Sequence, residues 1–213
     1  LRGQAAISLG PVLEQADVEG FDDLGEVPIA EQTFRSIQER LFTLYMDVDV
    51  PKGVRRSILE ASVRAPQDWH ENAVREAYHS KDKAWKLTGV FCMQFLPGFE
   101  TEIVESLKSP NPDIQYEAVC AAGNWGVAGA WPHIAKLLES KKTEKPLLLA
   151  AIEAVGSVRP EEASVFLGDF LESDDEDIVD AAYEALAMAG VEFEDEDEDE
   201  EDDDDDEDDE ILH

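Results

Sequence analysis

Small and aliphatic residues recur along this chain in a pattern that is typical of helices packed on both sides. In each instance an aliphatic or similar residue is followed after three positions by a small or aliphatic one, and a small-plus-aliphatic pair follows after three more. Aligned on the second small position, six instances place these residues in register: Ser8, Ala61, Val90, Ala121, Ala154 and Ala185. The intervals are 53, 29, 31, 33 and 31 residues, which indicates one short repeat with a single insertion.

Each instance is followed by a break and then by a second amphipathic run. Proline and glycine in the breaks end one helix and begin another, so the repeating unit is predicted to be a helical hairpin. The second helices are predicted at residues 34–45, 70–79, 100–107, 132–138 and 161–171, and a closing helix near residues 175–189. Such hairpins cannot bury both faces alone and must stack on their neighbours. The predicted fold class is therefore all-α, an α-solenoid of stacked hairpins.

The chain divides into a repeat domain over residues 1–190 and an acidic tail over residues 191–213. Of the 19 residues from 192 to 210, 18 are Asp or Glu, so the tail repels itself and is predicted to be disordered. The insertion in the first unit is predicted to be an acidic loop at about residues 15–28, ahead of a helix over residues 29–46. Because Leu1 falls at the second position of the repeat, we expect the chain to begin inside a longer array.

Three segments carry a family resemblance: DIQYEAVCAAG from Asp113, LLLAAIEAVG from Leu147 and DIVDAAYEALA from Asp177. They resemble the short HEAT-like repeat of the phycobilisome-lyase type. The resemblance implies a HEAT-like solenoid whose second helices line a concave groove that holds a partner. A non-catalytic protein–protein interaction scaffold is the main functional hypothesis. The alternative is a component of a bilin lyase or isomerase, for which the repeat type is the only indication.

By the same resemblance, exposed positions of the second helices are expected to bind the partner. These positions are Arg35, Gln38, Arg75, His79, Glu102, Glu105, His133, Lys136, Glu162 and Asp169. Large residues just before the second helices, Trp69, Phe99 and Trp131, are expected to pack at the hairpin bends. Trp125 lies in a turn and has no equivalent in the other repeats, which makes it a candidate surface anchor for a partner.

Charge narrows the class of partner. The 213 residues include 51 acids and 17 bases, a formal net charge of −34. This excess disfavours nonspecific binding to nucleic acid or to anionic lipid and favours basic protein partners. The tail is expected either to solubilise the chain, to capture a basic segment, or to regulate the chain itself by competing for a base-rich stretch between residues 52 and 86. The sequence contains no apolar run of about 18 residues, which is the length that would indicate a membrane span.

Candidate chemistry is sparse. His70, His79 and His133 lack the spacing of a metal pair and are expected to be exposed to solvent. Cys92 and Cys120 make no disulfide framework, so a cytoplasmic location is expected, and both are expected to be buried, inert thiols. The sequence contains no phosphate-binding glycine loop, nucleophile elbow or zinc-hydrolase signature. We expect no catalytic residue, no metal and no cofactor.

Overall fold

A computed structural model describes residues 2–21 and 28–191 of the chain. Within these residues all regular structure is helical, and the α-helices are α1 (Arg2–Ile7), α2 (Gly10–Glu19), α3 (Glu31–Met46), α4 (Lys52–Ser62), α5 (Asp68–Tyr78), α6 (Lys83–Cys92), α7 (Glu100–Ser106), α8 (Pro112–Asn124), α9 (Trp131–Glu139), α10 (Lys145–Val158), α11 (Ala163–Leu167) and α12 (Glu176–Met188). The predicted all-α class is confirmed. In this part of the chain, no helix combines the length and the apolar character needed to cross a membrane.

The helices form two rows. We call α1, α4, α6, α8, α10 and α12 the first row, in which each helix packs on the next. The second row consists of α3, α5, α7, α9 and α11, and each of these helices packs against the first-row helix that follows it in the chain. This arrangement is the predicted α-solenoid of stacked HEAT-like hairpins.

The predicted register places the core of the first row. Ala61, Val90, Ala121, Ala154 and Ala185 are all at most 3% exposed, whereas Ser8 follows the last turn of α1 and is exposed. Small side chains at these positions let neighbouring helices approach closely, so the apolar face of each helix is covered by the next unit.

The first unit differs from the prediction at residues 15–28. Helix α2 continues to Glu19, because Leu13 and Ala16 lie three residues apart on one face and are completely buried. An ion pair between Glu14 and Arg64 fixes α2 to the segment after α4. The expected loop therefore starts later than residue 15, and residues 22–27 lie outside the described part of the chain.

The C-terminal unit also shows one difference. The helix predicted over residues 161–171 is divided into a 3₁₀ turn at Pro160–Glu162, the short helix α11 and a second 3₁₀ turn at Gly168–Phe170. Glycine at position 168 is a poor helix former, and the α-helix stops there. Helix α12 agrees with the predicted closing helix and begins after Asp175, whose carboxylate accepts a hydrogen bond from the Asp177 amide at 3.2 Å. Residues 192–213, which make up nearly all of the predicted acidic tail, lie outside the described residues.

Candidate functional site

Three of the residues predicted to bind a partner, Arg75, Glu102 and Glu105, contact a residue of a neighbouring unit. Arg75 on α5 donates a hydrogen bond to Glu102 on α7 at 2.8 Å. One turn further on, the hydroxyl of Tyr78 donates to Glu105 at 3.0 Å. The Arg75 guanidinium also lies 4.6 Å from the centre of the Phe99 ring. These contacts join two second-row helices, so part of the predicted surface stabilises the stack.

The remaining predicted positions on the second row are dispersed. Arg35 pairs with Glu31 on its own helix at 2.6 Å, and the amide of Gln38 donates to the Ala65 carbonyl at 3.4 Å. Exposed side chains occur at His79, Lys136, Glu162 and Asp169. His133 on α9 is half-buried, and burial lowers its pKa, with Lys108 and Lys136 adding to the effect. The structure places these residues along one row and does not gather them into one cluster.

Trp125 connects two units. Its ring is 41% exposed, yet its indole N–H donates to the Met93 carbonyl at 2.8 Å. Asn124 donates to the neighbouring Gln94 carbonyl at 3.4 Å. The predicted surface anchor thus also fastens the turn after α8 to the 3₁₀ turn at Met93–Phe95.

Aromatic packing at the hairpin bends is confirmed. The Trp69 ring stacks on His70 with centroids 3.7 Å apart and lies 4.9 Å from the Tyr45 ring. Phe99 is buried, and the Trp131 ring lies 4.4 Å from Phe166 in the next unit. These rings fill the space between successive second-row helices.

The expectation that all three histidines are exposed is confirmed for His79 but not for His133, which is half-buried, and it is wrong for His70, which is completely buried. The backbone N–H of Gln67 donates to Nδ1 of His70 at 2.9 Å. Nε2 of His70 therefore carries the proton and donates to the Ser62 hydroxyl at 3.0 Å. Burial lowers the pKa of His70 to about 4, and the nearby Gln67 carbonyl offsets this only in part. His70 therefore caps α5 in a reciprocal pairing with Gln67.

The two cysteines differ in exposure. Cys92 is buried, as expected, and burial raises the pKa of its thiol well above the ordinary value. Cys120 is half-buried, and burial followed by the charge of Glu117 raises its pKa to about 11. Both thiols stay protonated at neutral pH, and a protonated thiol is a poor nucleophile.

The four arginines of the base-rich stretch between residues 52 and 86 make contacts within the chain. Arg55 donates to the Tyr45 carbonyl at 2.6 Å, and Arg56 donates to the Thr88 hydroxyl at 2.9 Å. Arg64 pairs with Glu14, and Arg75 pairs with Glu102.

A groove on the first row, which we call the acidic groove, crosses α8, α10 and α12. Its volume is about 480 Å³, and its floor includes Gly123 and Ala154. Glu153 and Glu184 line it and are exposed, and the set of lining residues contains no Lys or Arg. Met188, which is 63% exposed, adds an apolar contact surface. Glu153 and Glu184 are absent from the predicted binding positions, although each directly precedes an aligned alanine and both therefore share one face.

Burial and neighbouring charges raise the pKa of two carboxyl groups in and beside the acidic groove. Burial raises the pKa of Glu153, and the carboxylate of Glu184 raises it further. Burial also raises the pKa of Glu117 on α8, and a 2.6 Å hydrogen bond from the Gln94 amide partly opposes this effect. Carboxylates that repel each other are stabilised when a positive charge is placed between them. Within the described residues, no group of three or more His, Cys, Asp or Glu side chains is arranged to hold a metal ion.

Residues 101–187 match a sequence family described as HEAT repeats, which supports a HEAT-like repeat protein over most of the last three units. The chain has no significant match among the curated proteins. It is similar to a solved crystal structure of the Escherichia coli protein YibA, at 16% sequence identity and a TM-score of 0.49. That similarity covers 85% of this chain and 71% of the YibA chain.

Proposed function

We propose that this chain is a non-catalytic scaffold that binds a basic segment of another protein along the first row. The acidic groove over α8, α10 and α12 is the observation that carries the proposal, because it combines Glu153 and Glu184 with exposed apolar surface and is lined by no base. Solenoids of helical repeats present extended surfaces of this kind to their partners. The partner class follows from charge, since Lys and Arg side chains fit a row of carboxylates.

Packing supports the first row as the inner side of the stack. First-row helices approach each other at Gly and Ala, whereas second-row helices pack chiefly on first-row helices and less closely on each other. A stack that is tighter along one row curves toward that row. The concave face that the sequence analysis assigned to the second helices is therefore proposed to lie on the first row.

Binding is expected to depend on several modest contacts. The carboxylates of Glu153 and Glu184 chiefly raise the rate of association and make that rate sensitive to salt. The apolar contact at Met188 adds affinity that depends less on salt. The acidic tail is proposed to assist by capturing basic segments before they reach the groove. A basic partner would in this way contact both the acidic tail and the acidic groove.

Capture of proteins from host lysate at low and high salt tests the proposal. The intact chain is compared with a chain that ends at Gly190, with Glu153→Lys/Glu184→Lys and with Glu162→Lys/Asp169→Lys, which carries the same charge change on the second row. We expect a basic protein to be retained by the intact chain and by the second-row variant, and to be lost from the first-row variant. Loss from the second-row variant alone would place binding on the second helices. Retention that needs only the tail would overturn a role for the groove.

A further inference from the structure

Equivalent positions of three successive first-row helices meet in the acidic groove. Gly123 packs on the aligned alanine of α10, and Gly156 packs on the aligned alanine of α12, so both helix pairs share one register. Side chains at equivalent positions therefore form lines that cross the three helices. The members that directly precede the aligned alanines are Cys120, Glu153 and Glu184, which we call the Glu153 line. One turn further along each helix are Asn124, Ser157 and Met188, which we call the Ser157 line.

The close approach of these helices sets the distance between neighbours in each line. Packed helix axes lie about 8–10 Å apart, and small residues at the contact favour the lower part of this range. Successive members of a line are therefore separated by about one such distance across the groove. Burial and then the charge of Glu184 raise the pKa of Glu153, which agrees with this short separation.

A polyproline II chain has a repeat that matches this distance. It rises about 3.1 Å per residue with three residues per turn, so side chains on one side recur every third residue at about 9.3 Å. In a β-strand, side chains on one face recur every second residue at about 6.6–6.8 Å, which falls short of one helix spacing. Two bases three residues apart on a polyproline II chain can therefore reach Glu153 and Glu184 at the same time.

The cross-section of the acidic groove also favours an extended chain over a helix. The groove has a volume of about 480 Å³ and crosses three helices. Two helix spacings give a length of about 16–20 Å and hence a mean cross-section of about 24–30 Å². An α-helix with its side chains is about 10–12 Å wide, which requires about 80–110 Å². A single extended segment fits this space, and a helix does not.

The Ser157 line offers hydrogen bonds to the backbone of such a segment. Asn124 is exposed, and its side-chain N–H donates to the Gln94 carbonyl at 3.4 Å, a bond that does not use the amide oxygen. The Ser157 hydroxyl donates to the Met188 sulfur at 3.0 Å, and sulfur is a weak acceptor that a peptide carbonyl would replace with gain. An extended segment has backbone N–H and C=O groups to pair here, whereas those of a helix are already bonded to each other.

We propose that the acidic groove binds a basic segment of a partner protein as an extended polyproline II chain that crosses α8, α10 and α12, with two Lys or Arg side chains three residues apart beside Glu153 and Glu184. This mode of binding rests on the proposed scaffold function and specifies the conformation and spacing of the partner. The acidic tail of this chain carries the same charge as the groove, which makes it an unsuitable occupant.

The probe is a set of 12-residue peptides labelled with fluorescein, which contain two arginines in a background of glycine, serine and glutamine. The arginines are two, three, four or seven residues apart, and the composition is otherwise identical. Any attraction to the acidic tail is therefore common to the set. In fluorescence anisotropy with the intact chain, we expect the peptide with three-residue spacing to bind at least fivefold more tightly than each of the others. Binding should add no helical circular dichroism signal.

Matched variants of the protein locate this binding. Glu153→Gln/Glu184→Gln should weaken the peptide with three-residue spacing at least tenfold and abolish the preference for that spacing. Glu162→Gln/Asp169→Gln makes the same charge change at exposed residues of the second row and should leave binding within twofold of normal. The circular dichroism signal and the melting temperature confirm that each variant is folded.

Citrulline, which has the shape of arginine without its charge, assigns each base to one glutamate. Each arginine of the peptide is replaced in turn, and each peptide is measured against Glu153→Gln and against Glu184→Gln. We expect one arginine to couple only with Glu153 and the other only with Glu184. Coupling of both arginines with the same glutamate would contradict the proposed spacing.

The remaining outcomes separate this inference from the proposed function. Equal affinity of all four peptides, or tightest binding at seven-residue spacing with a gain of helical signal, would overturn the extended mode. If capture of a basic protein from lysate still depended on Glu153 and Glu184, the scaffold function would stand and only the mode of binding would fail. If neither capture nor peptide binding depended on those glutamates, both proposals would fail.

Discussion

Gly156 and Ala185 bring the backbones of α10 and α12 into direct contact. A Cβ atom placed on Gly156 would lie 2.5 Å from the Ala185 carbonyl oxygen, which is shorter than a real Cβ contact. One unit earlier, a Cβ on Gly123 would lie 3.1 Å from the Cα of Ala154. Both glycines follow an aligned alanine by two residues, so one sequence position sets the spacing of α8, α10 and α12.

The first prediction concerns this contact. Gly156→Ala should lower the free energy of unfolding by about 1–3 kcal/mol, because the added methyl group pushes α12 away from α10. Urea denaturation followed by circular dichroism measures the change. Gly53→Ala is the matched control, since a Cβ at Gly53 meets no atom within 4 Å. That control should be neutral or stabilising by up to about 1 kcal/mol. Equal effects of the two substitutions would contradict the close approach.

The second prediction concerns pH. The folded-state pKa of His70 is about 4, below its ordinary value of 6.5, so the unfolded chain binds the proton first as the pH falls. The free energy of unfolding should therefore decrease between about pH 6.5 and pH 4, by about 3 kcal/mol in total from this group. Above pH 6.5 the effect of His70 should be absent.

His70→Gln isolates that contribution. Glutamine at position 70 does not titrate, and its side-chain oxygen can still accept a hydrogen bond from the backbone N–H of Gln67 at the start of α5. Urea denaturation at pH 7, 5.5 and 4 should show a smaller loss of stability in the variant than in the natural chain. Parallel pH profiles for the two proteins would show that His70 is not buried as a neutral ring. Glu117 and Glu153, whose pKa values are raised, act in the opposite direction in both proteins and cancel in the comparison.

The third prediction concerns the contact between α5 and α7. A double-mutant cycle of Arg75→Ala and Glu102→Ala should give a coupling energy of about 0.5–1 kcal/mol, because Glu102 is mostly buried and Arg75 is partly exposed. The coupling should weaken in 1 M salt. An analogous cycle of Arg35 and Glu31, a pair that is exposed on a single helix, should give a smaller value. Additive effects of the Arg75 and Glu102 substitutions would mean that these side chains are free for a partner.

The fourth prediction concerns Trp125. Trp125→Phe removes the hydrogen bond to the Met93 carbonyl and should lower the free energy of unfolding by about 1 kcal/mol. Capture of a basic protein from lysate should be retained, because Trp125 does not line the acidic groove. Unchanged stability together with lost capture would instead identify Trp125 as a partner anchor, as the sequence first indicated.

Local periodicity predicted much of the fold. The hairpins, the aligned alanines and the closing helix follow from apolar spacing and from proline and glycine in the breaks, and these signals act over a few residues. Helix α2 was missed because its buried face consists of Gly10, Leu13 and Ala16, which is too short a pattern to distinguish from a loop. His70 was misplaced because its burial depends on Ser62 from the preceding helix and on the capping contact with Gln67.

The sequence by itself determined the helical class and the repeat length, since short-range spacing decides these properties. Only the tertiary structure decided which side chains are free. Arg75 and Glu102 are 27 residues apart and neutralise each other across two units, whereas Glu153 and Glu184 line one groove and repel each other. Pairing of this kind depends on how helices stack, and stacking is set by the volumes of residues such as Gly156 and Ala185 that meet only in the folded chain.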